Sequence, residues 1–151
     1  MVLNIQIIVD AIALLTHEEP QQTVFLFDDN VHPSKGRGSI QLSSAVYPGQ
    51  MVRWSVLPMD VQAPVWLKNI RFCGMPGTAE QPNVAYAAEK QISSLFWQGY
   101  VPTWLVPGNI YPYEVTLGFG PQSARTVSVN GPELIYTVSA AYAEPTTTSC
   151  L

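Results

Sequence analysis

Tyr47-Pro48-Gly49-Gln50-Met51-Val52-Arg53-Trp54-Ser55-Val56-Leu57 reads as a tight turn feeding a half-buried β-strand. Pro48 and Gly49 hold the two central positions of a type II turn, proline for its fixed φ and glycine for a positive one. Beyond the turn, Val52, Trp54 and Val56 share one face, while Arg53 and Ser55 share the other. Such alternation belongs to a strand with one wet face. A second Pro-Gly turn, Pro107-Gly108-Asn109, precedes a strand with Tyr113, Val115, Leu117 and Phe119 on one face. The two turns hint at a duplicated element, but no fixed period supports a repeat.

Working outward, the same period of two recurs. Leu3, Ile5, Ile7 and Val9 alternate with Asn4 and Gln6 in a first strand. Asp10 to His17 reads as a short helical turn stopped before Pro20. Thr23 to Phe27 is apolar on both faces, which predicts a central strand, ended by Asp28-Asp29-Asn30. Ser39 to Ser43 and Val65 to Phe72 are further strands. Ala124 to Val129 and Glu133 to Ala140 flank Asn130-Gly131, a pair that predicts a hairpin. Asn83 to Phe96 reads either as a short helix capped by Asn83 or as a loop, and Trp97 to Val106 as a strand or an ordered loop.

The sum is an all-β fold: a single antiparallel β-sandwich over residues 1–143, with eight or nine strands and at most one or two short helices. Its outline is expected to be jelly-roll-like or immunoglobulin-like. Residues 144–151 form a polar tail or an edge segment. The expected core includes Ile5, Ile7, Val24, Leu26, Val52, Trp54, Leu67, Val115, Leu117, Val127 and Tyr136.

Composition narrows the function. The chain has 151 residues and a formal net charge of -4, and charged residues are 12% of it, about half of the usual ~25%. Seven scattered basic residues disfavour nucleic acid, which selects clustered Lys and Arg. Pro33-Ser34-Lys35-Gly36-Arg37-Gly38 holds the closest basic pair and reads as a solvated turn. The apolar run from Ile5 to Leu15 is too short and too interrupted to span a bilayer, and it lacks the flanks of a signal peptide. A cytoplasmic location without membrane contact is the expectation. Cys73 and Cys150 make no disulfide framework, although a single bridge between them stays open.

Sites of chemistry are sparse. His17, His32, Cys73, Met59 and Met75 contain the donor types of a blue-copper centre, but without its spacing, so no metal and no cofactor is expected. Asp28-Asp29-Asn30 offers hard oxygen ligands without the loop pattern of an EF-hand. No Gly-x-Ser-x-Gly occurs, and Glu114 and Glu133 sit where solubilising charge is usual, so no catalytic residue is assigned and no enzyme is expected. Aromatics are the richest feature. Phe96, Trp97, Tyr100, Trp104, Tyr111 and Tyr113 crowd one stretch broken by Gly99, Pro102, Pro107 and Gly108. Most belong to a core. Rings left on loops among Trp97, Tyr100, Trp104 and Tyr111, with polar contacts from Asp28, Asp29 or Asn30, would form a carbohydrate-binding surface.

Four segments resemble the bacterial PixA/AidA inclusion-body protein family. They are Asn4 to Ala11 leading into Leu14-Leu15, Tyr47 to Trp54 with its Pro-Gly-x-x-x-Arg-Trp, Phe96-Trp97-Gln98, and Val106-Pro107-Gly108 with Tyr113 to Thr116. The Tyr136 strand and the Glu144-Pro145 tail match that pattern only loosely. The resemblance implies an abundant cytoplasmic bacterial protein, linked to host association, with expression tied to growth phase or population density. It implies no reaction and supplies no catalytic residues. Low charge content and unpaired strand edges favour self-association, with a two-fold dimer the simplest form. A glycan or a host protein is the other partner expected, and carbohydrate binding is the alternative function.

Overall fold

The computed structural model describes residues 2–16, 19–60, 64–72, 90–93, 96–101, 108, 110–120 and 125–136, with the backbone alone over 90–93 and 96–97. Among these, β1 is Val2–Val9, β2 Val24–Asp28, β3 Ser43–Val46, β4 Met51–Pro58 and β5 Val65–Phe72. β6 is Lys90–Ser93, β7 Phe96–Tyr100, β8 Ile110–Phe119 and β9 Arg125–Tyr136. The strands form two sheets, one ordered β2-β1-β4-β7-β6 and the other β3-β9-β8-β5. This is the all-β sandwich that the alternation predicts, with two short helices, α1 (Ala11–Leu15) and α2 (Pro20–Thr23).

Two pairings are parallel, β1 with β4 and β3 with β9, so the sheets are mixed and not purely antiparallel. The path explains the first. The chain leaves the five-stranded sheet after β2, crosses to the other sheet as β3, and returns as β4 on the far side of β1. Asp10 caps α1, its Oδ1 accepting from the Ala13 N–H at 3.2 Å. Pro20 does more than stop that turn. It opens α2 at the first helical position, where its fixed φ and missing N–H cost nothing.

The turn at Tyr47 to Gln50 forms as read. The Gln50 N–H donates to the Tyr47 carbonyl at 3.1 Å, and Gly49 has φ of 74°. Val52, Trp54 and Val56 are buried on β4, and Tyr113, Val115, Leu117 and Phe119 on β8. The core rings meet edge to face, Trp54 with Phe72 at 6.0 Å and with Tyr113 at 5.7 Å. All the expected core residues are buried except Val127, which packs against the core half-buried.

Three local expectations fail for tertiary reasons. β2 is not central. It is the outer strand of its sheet, and its second apolar face arises because Phe27 lies over Gly38, where an added Cβ would stand 3.4 Å from the ring. Ser39 to Ser43 is not a strand. Ser39 makes one bridge to Leu26, Ile40 and Leu42 are buried from a turn, and β3 begins only at Ser43. Asn130-Gly131 is not a hairpin. β9 runs through it, paired with β8 on both sides, Glu114 opposite Asn130 and Pro112 opposite Glu133. The surplus residue makes a bulge. Gly131 has φ of 133°, and a Cβ there would lie 2.6 Å from the Ile40 carbonyl oxygen, so only glycine fits. The region read as helix or loop becomes strand β6 from Lys90 onward. Asn83, Cys73, Cys150 and the tail at 144–151 lie outside the described residues.

Candidate functional site

Asp28 ends β2 opposite Ile5, and therefore on the face that looks between the sheets. Its side chain is 0% exposed. A buried carboxylate is costly unless its oxygens are satisfied, and here both are. Arg37 donates to Oδ1 through Nε at 3.1 Å and Nη2 at 2.8 Å, while the Ser34 and Ser44 hydroxyls each donate to Oδ2 at 2.5 Å. Arg37 and Ser34 come from the segment between β2 and β3, and Ser44 comes from β3 itself. One acid thus ties the rim of one sheet to the rim of the other.

The neighbours extend this clasp. Asn30 Nδ2 donates to the Ala45 carbonyl at 2.9 Å, and its Oδ1 accepts from the His32 N–H at 3.2 Å. His32 Nε2 shares a hydrogen bond with the Tyr47 hydroxyl, and the two rings stand edge on at 6.0 Å. Lys35 and Ser43 exchange both backbone hydrogen bonds, at 3.2 and 2.8 Å, and the Gly38 N–H donates to Leu26 at 2.7 Å. Segment 29–42 therefore covers the open edges of β2 and β3 together. Asp29 faces the other way. It takes the Asn4 N–H at 2.8 Å and the Asn4 Nδ2 at 2.6 Å, on the outer face of the five-stranded sheet.

Among the described residues, the acids and Tyr111 expected in one sugar site lie apart from it. Asp28 and Asn30 are engaged in the clasp, and Asp29 is engaged with Asn4. Tyr111 is 3% exposed in the core, because it shares the parity of Tyr113 and Val115 along β8, so its ring does not meet a surface ligand. Tyr100 is 48% exposed, opposite Met51 on the outer face. Trp97 lies opposite Trp54 in the register of β7 and β4, and Trp104 and His17 lie outside the described residues. No group of three or more metal-ligating side chains occurs among the described residues. Ser34, Arg37, Ser44, His32 and Tyr47 are the participants that the sequence reading missed. The signal that would have found them is an acid in phase with Val24 and Leu26, followed by an arginine in a Gly-rich turn.

Burial shapes the core beside the clasp. The Tyr113 phenol is pushed far above its ordinary pKa of 10.0 chiefly by burial; the Trp54 indole beside it opposes the rise, and the negative charges of Asp28 and Glu133 add to it to a smaller degree. Neither the Trp54 N–H nor the Tyr113 hydroxyl has a well-formed hydrogen bond among the described residues.

The two outer faces differ. On the four-stranded sheet, Arg71 pairs with Glu114 at 3.3 Å, beside Thr116, Thr126, Ser128 and Asn130. On the five-stranded sheet, register aligns Phe25, Ile8 and Leu57 in one row, Asp29, Asn4, Arg53 and Gln98 in another, and Val2, Met51 and Tyr100 in a third. Of the seven exposed large apolar residues among those described, Val2, Phe27, Leu57 and Tyr100 lie on strands of this sheet, Ile12 and Met59 in segments that follow its strands, and Val31 in the segment that joins the two sheets.

The family described as "Domain of unknown function (DUF8788)" matches residues 1–124. The chain belongs to that family. No curated protein matches it. Among solved structures, it is similar to the inclusion body protein PixA from Burkholderia cenocepacia J2315, with a TM-score of 0.58 and 8% identity, over 90% of this chain and 91% of that one. At that identity the likeness is one of fold. The resemblance to PixA/AidA proteins therefore stands as shared architecture, while the family match carries the name DUF8788. No helix among the described residues is long and apolar enough to cross a membrane.

Proposed function

We propose that this protein is a non-enzymatic, self-associating bacterial accessory protein of the inclusion-body kind. It would act in the cytoplasm, with expression tied to growth phase or population density and a role in host association. The observation that carries this reading is the group of exposed large apolar side chains that register places on the outer face of the five-stranded sheet among the described residues, Val2, Phe27, Leu57 and Tyr100. Water penalises such a face, and a second protein surface relieves the penalty. The low charge content leaves little repulsion between copies. The fold likeness to a protein named for inclusion bodies points the same way. Both carboxylate oxygens of Asp28 and the Nε2 of His32 are engaged within the clasp, which supports the non-enzymatic part.

The test is sedimentation velocity and light scattering on purified protein over a wide concentration range. A dimer or larger assembly without added ligand is expected. A monomer at every concentration overturns the reading.

A carbohydrate-binding role is the second reading. One observation favours it: the half-exposed Tyr100 ring stands on the same face as the Gln98 amide and the Arg53 guanidinium. A sugar-array hit lost in Tyr100→Ala, with folding intact, would establish it. A blank array removes it.

A further inference from the structure

We infer that a second copy of this chain packs against the outer face of the five-stranded sheet, about a two-fold axis running along β1. This rests on the self-association reading and adds the surface and its symmetry. The argument starts from register. β1 lies between β2 and β4, and residues of the three strands fall in shared rows: Phe25, Ile8 and Leu57 in one, and Asp29, Asn4 and Arg53 in another. Rotation by 180° about an axis parallel to β1 keeps each row at its height and exchanges β2 with β4. Phe25 then meets the partner's Leu57, Ile8 meets the partner's Ile8, and Val2 meets the partner's Val2.

Charge selects this axis. Within one chain, Asp29 and Arg53 stand two strands apart, about 10 Å, and each bonds a different neighbour instead. Asp29 accepts only from Asn4 among the described residues, and Arg53 holds only the Gln98 amide oxygen, at 3.1 and 3.3 Å. The two-fold along β1 sets each Asp29 against the partner's Arg53, twice per dimer, with no like charges opposed. A two-fold across the strands instead lays β2 over the partner's β2 and β4 over the partner's β4, so at no height of the axis does Asp29 meet the partner's Arg53. An isologous contact must be self-complementary, and of these two axes the one along β1 opposes the acid to the base. Packed sheets cross at about 30°, and the pairs one strand from the axis stay within reach of an arginine.

The test measures association of the full chain by sedimentation. Arg53→Glu and Asp29→Arg each turn two attractions into two repulsions, so each is expected to weaken dimerisation roughly 30-fold. The double variant restores both pairs in reversed polarity and returns affinity to within roughly 3-fold of the parent. Association that persists unchanged in both single variants, or that the double variant fails to rescue, overturns this geometry and leaves self-association through another surface. A parent chain that never associates overturns both readings. A crosslinking arm guards against misfolding of Asp29→Arg. With Cys73 and Cys150 replaced by serine, Ile8→Cys is expected to crosslink to its copy through a short bismaleimide, and Ser128→Cys on the opposite face is not. The reverse pattern overturns the proposal.

Discussion

Replacing Asp28 by alanine tests the clasp directly. The side chain is fully buried, and its two oxygens receive four hydrogen bonds, two from Arg37 and one each from Ser34 and Ser44. Removing it leaves the half-buried Ser34 hydroxyl and the buried Ser44 hydroxyl without their acceptor, at about 1 kcal/mol each. Arg37 is 44% exposed and rehydrates, so its lost ion pair adds no more than about 1 kcal/mol. The desolvation cost of the carboxylate disappears as well, which trims the sum. The expected loss is about 2–3 kcal/mol, or roughly 4–12 °C in Tm for a chain of this size. Asp28→Asn keeps the shape. Its oxygen can face Arg37 while the serine hydroxyls turn to accept from its amide, so it costs about 1 kcal/mol.

Urea unfolding followed by tryptophan fluorescence reads the totals, since Trp54 is in the core. Hydrogen exchange reads the location. The amides of Lys35, Gly38 and Ser43 bond only within the clasp and are expected to lose protection, while those of β8 keep theirs. An Asp28→Ala loss below about 0.5 kcal/mol, the range of an ordinary surface change, would refute the reasoning. So would a uniform rise in exchange, which would make Asp28 a general core residue instead of a seam.

Tyr113→Phe is expected to be neutral or stabilising by up to about 1 kcal/mol, because it removes a buried hydroxyl without a good partner. The same variant has a pH signature. The folded chain holds the Tyr113 proton above the unfolded value of 10.0, so its contribution is complete below pH 10 and lost as pH rises past it; the variant is expected to flatten that alkaline loss in urea melts at a series of pH values. Gly131→Ala is expected to cost about 2–3 kcal/mol, since its Cβ would strike the Ile40 carbonyl at 2.6 Å, whereas Gly49→Ala, with nothing within 4 Å, costs about 1 kcal/mol from its positive φ alone. Equal losses by thermal melting would show that backbone conformation, not the close approach, governs both sites. Tyr47→Phe removes the bond to His32 and is expected to cost about 1 kcal/mol in the same melts, with an unchanged Tm counting against that contact.

Much of this fold was legible because its information is local. Alternation places β1, β4, β5 and β8 with their inward residues, and the Pro-Gly turn at Tyr47 follows from the φ preferences of two residues. The failures arise where distant contacts outrank local preference. Asn130-Gly131 carries a strong turn signal, but β8 pairs on both sides of it and the Ile40 carbonyl presses on Gly131. The apolar second face of β2 suggests burial between strands, yet it is the Gly38 turn that Phe27 covers. The candidate site was less legible, though parity held part of it. Asp28 is in phase with Val24 and Leu26, and Tyr111 with Tyr113 and Val115, so alternation alone turns both inward. Reading Asp28 as a turn former and Tyr111 as a loop ring gave composition more weight than phase.

That inward acid bears on the proposed self-association. Exposed strand edges are the usual route to uncontrolled pairing, and edge pairing was the expectation from sequence. At the β2 and β3 rims this route is closed: Gly38 takes the Leu26 carbonyl, and Lys35 and Ser43 bond each other on both sides. The loop that makes these bonds is itself held by Asp28. With those rims covered, the proposed self-association would be left, on this side, to the outer face of the five-stranded sheet, whose rows of apolar and charged residues would specify one partner orientation. Edge pairing is indifferent to side-chain sequence and propagates, whereas a face with opposite charges two strands apart closes on itself. On the proposed geometry the clasp and the face would act together. Loosening Asp28 should reopen the β2 edge, so the assemblies formed by Asp28→Ala are expected to be larger and insensitive to Arg53→Glu. If Asp28→Ala instead forms the same charge-sensitive species as the parent, the clasp stabilises the chain without governing how it assembles.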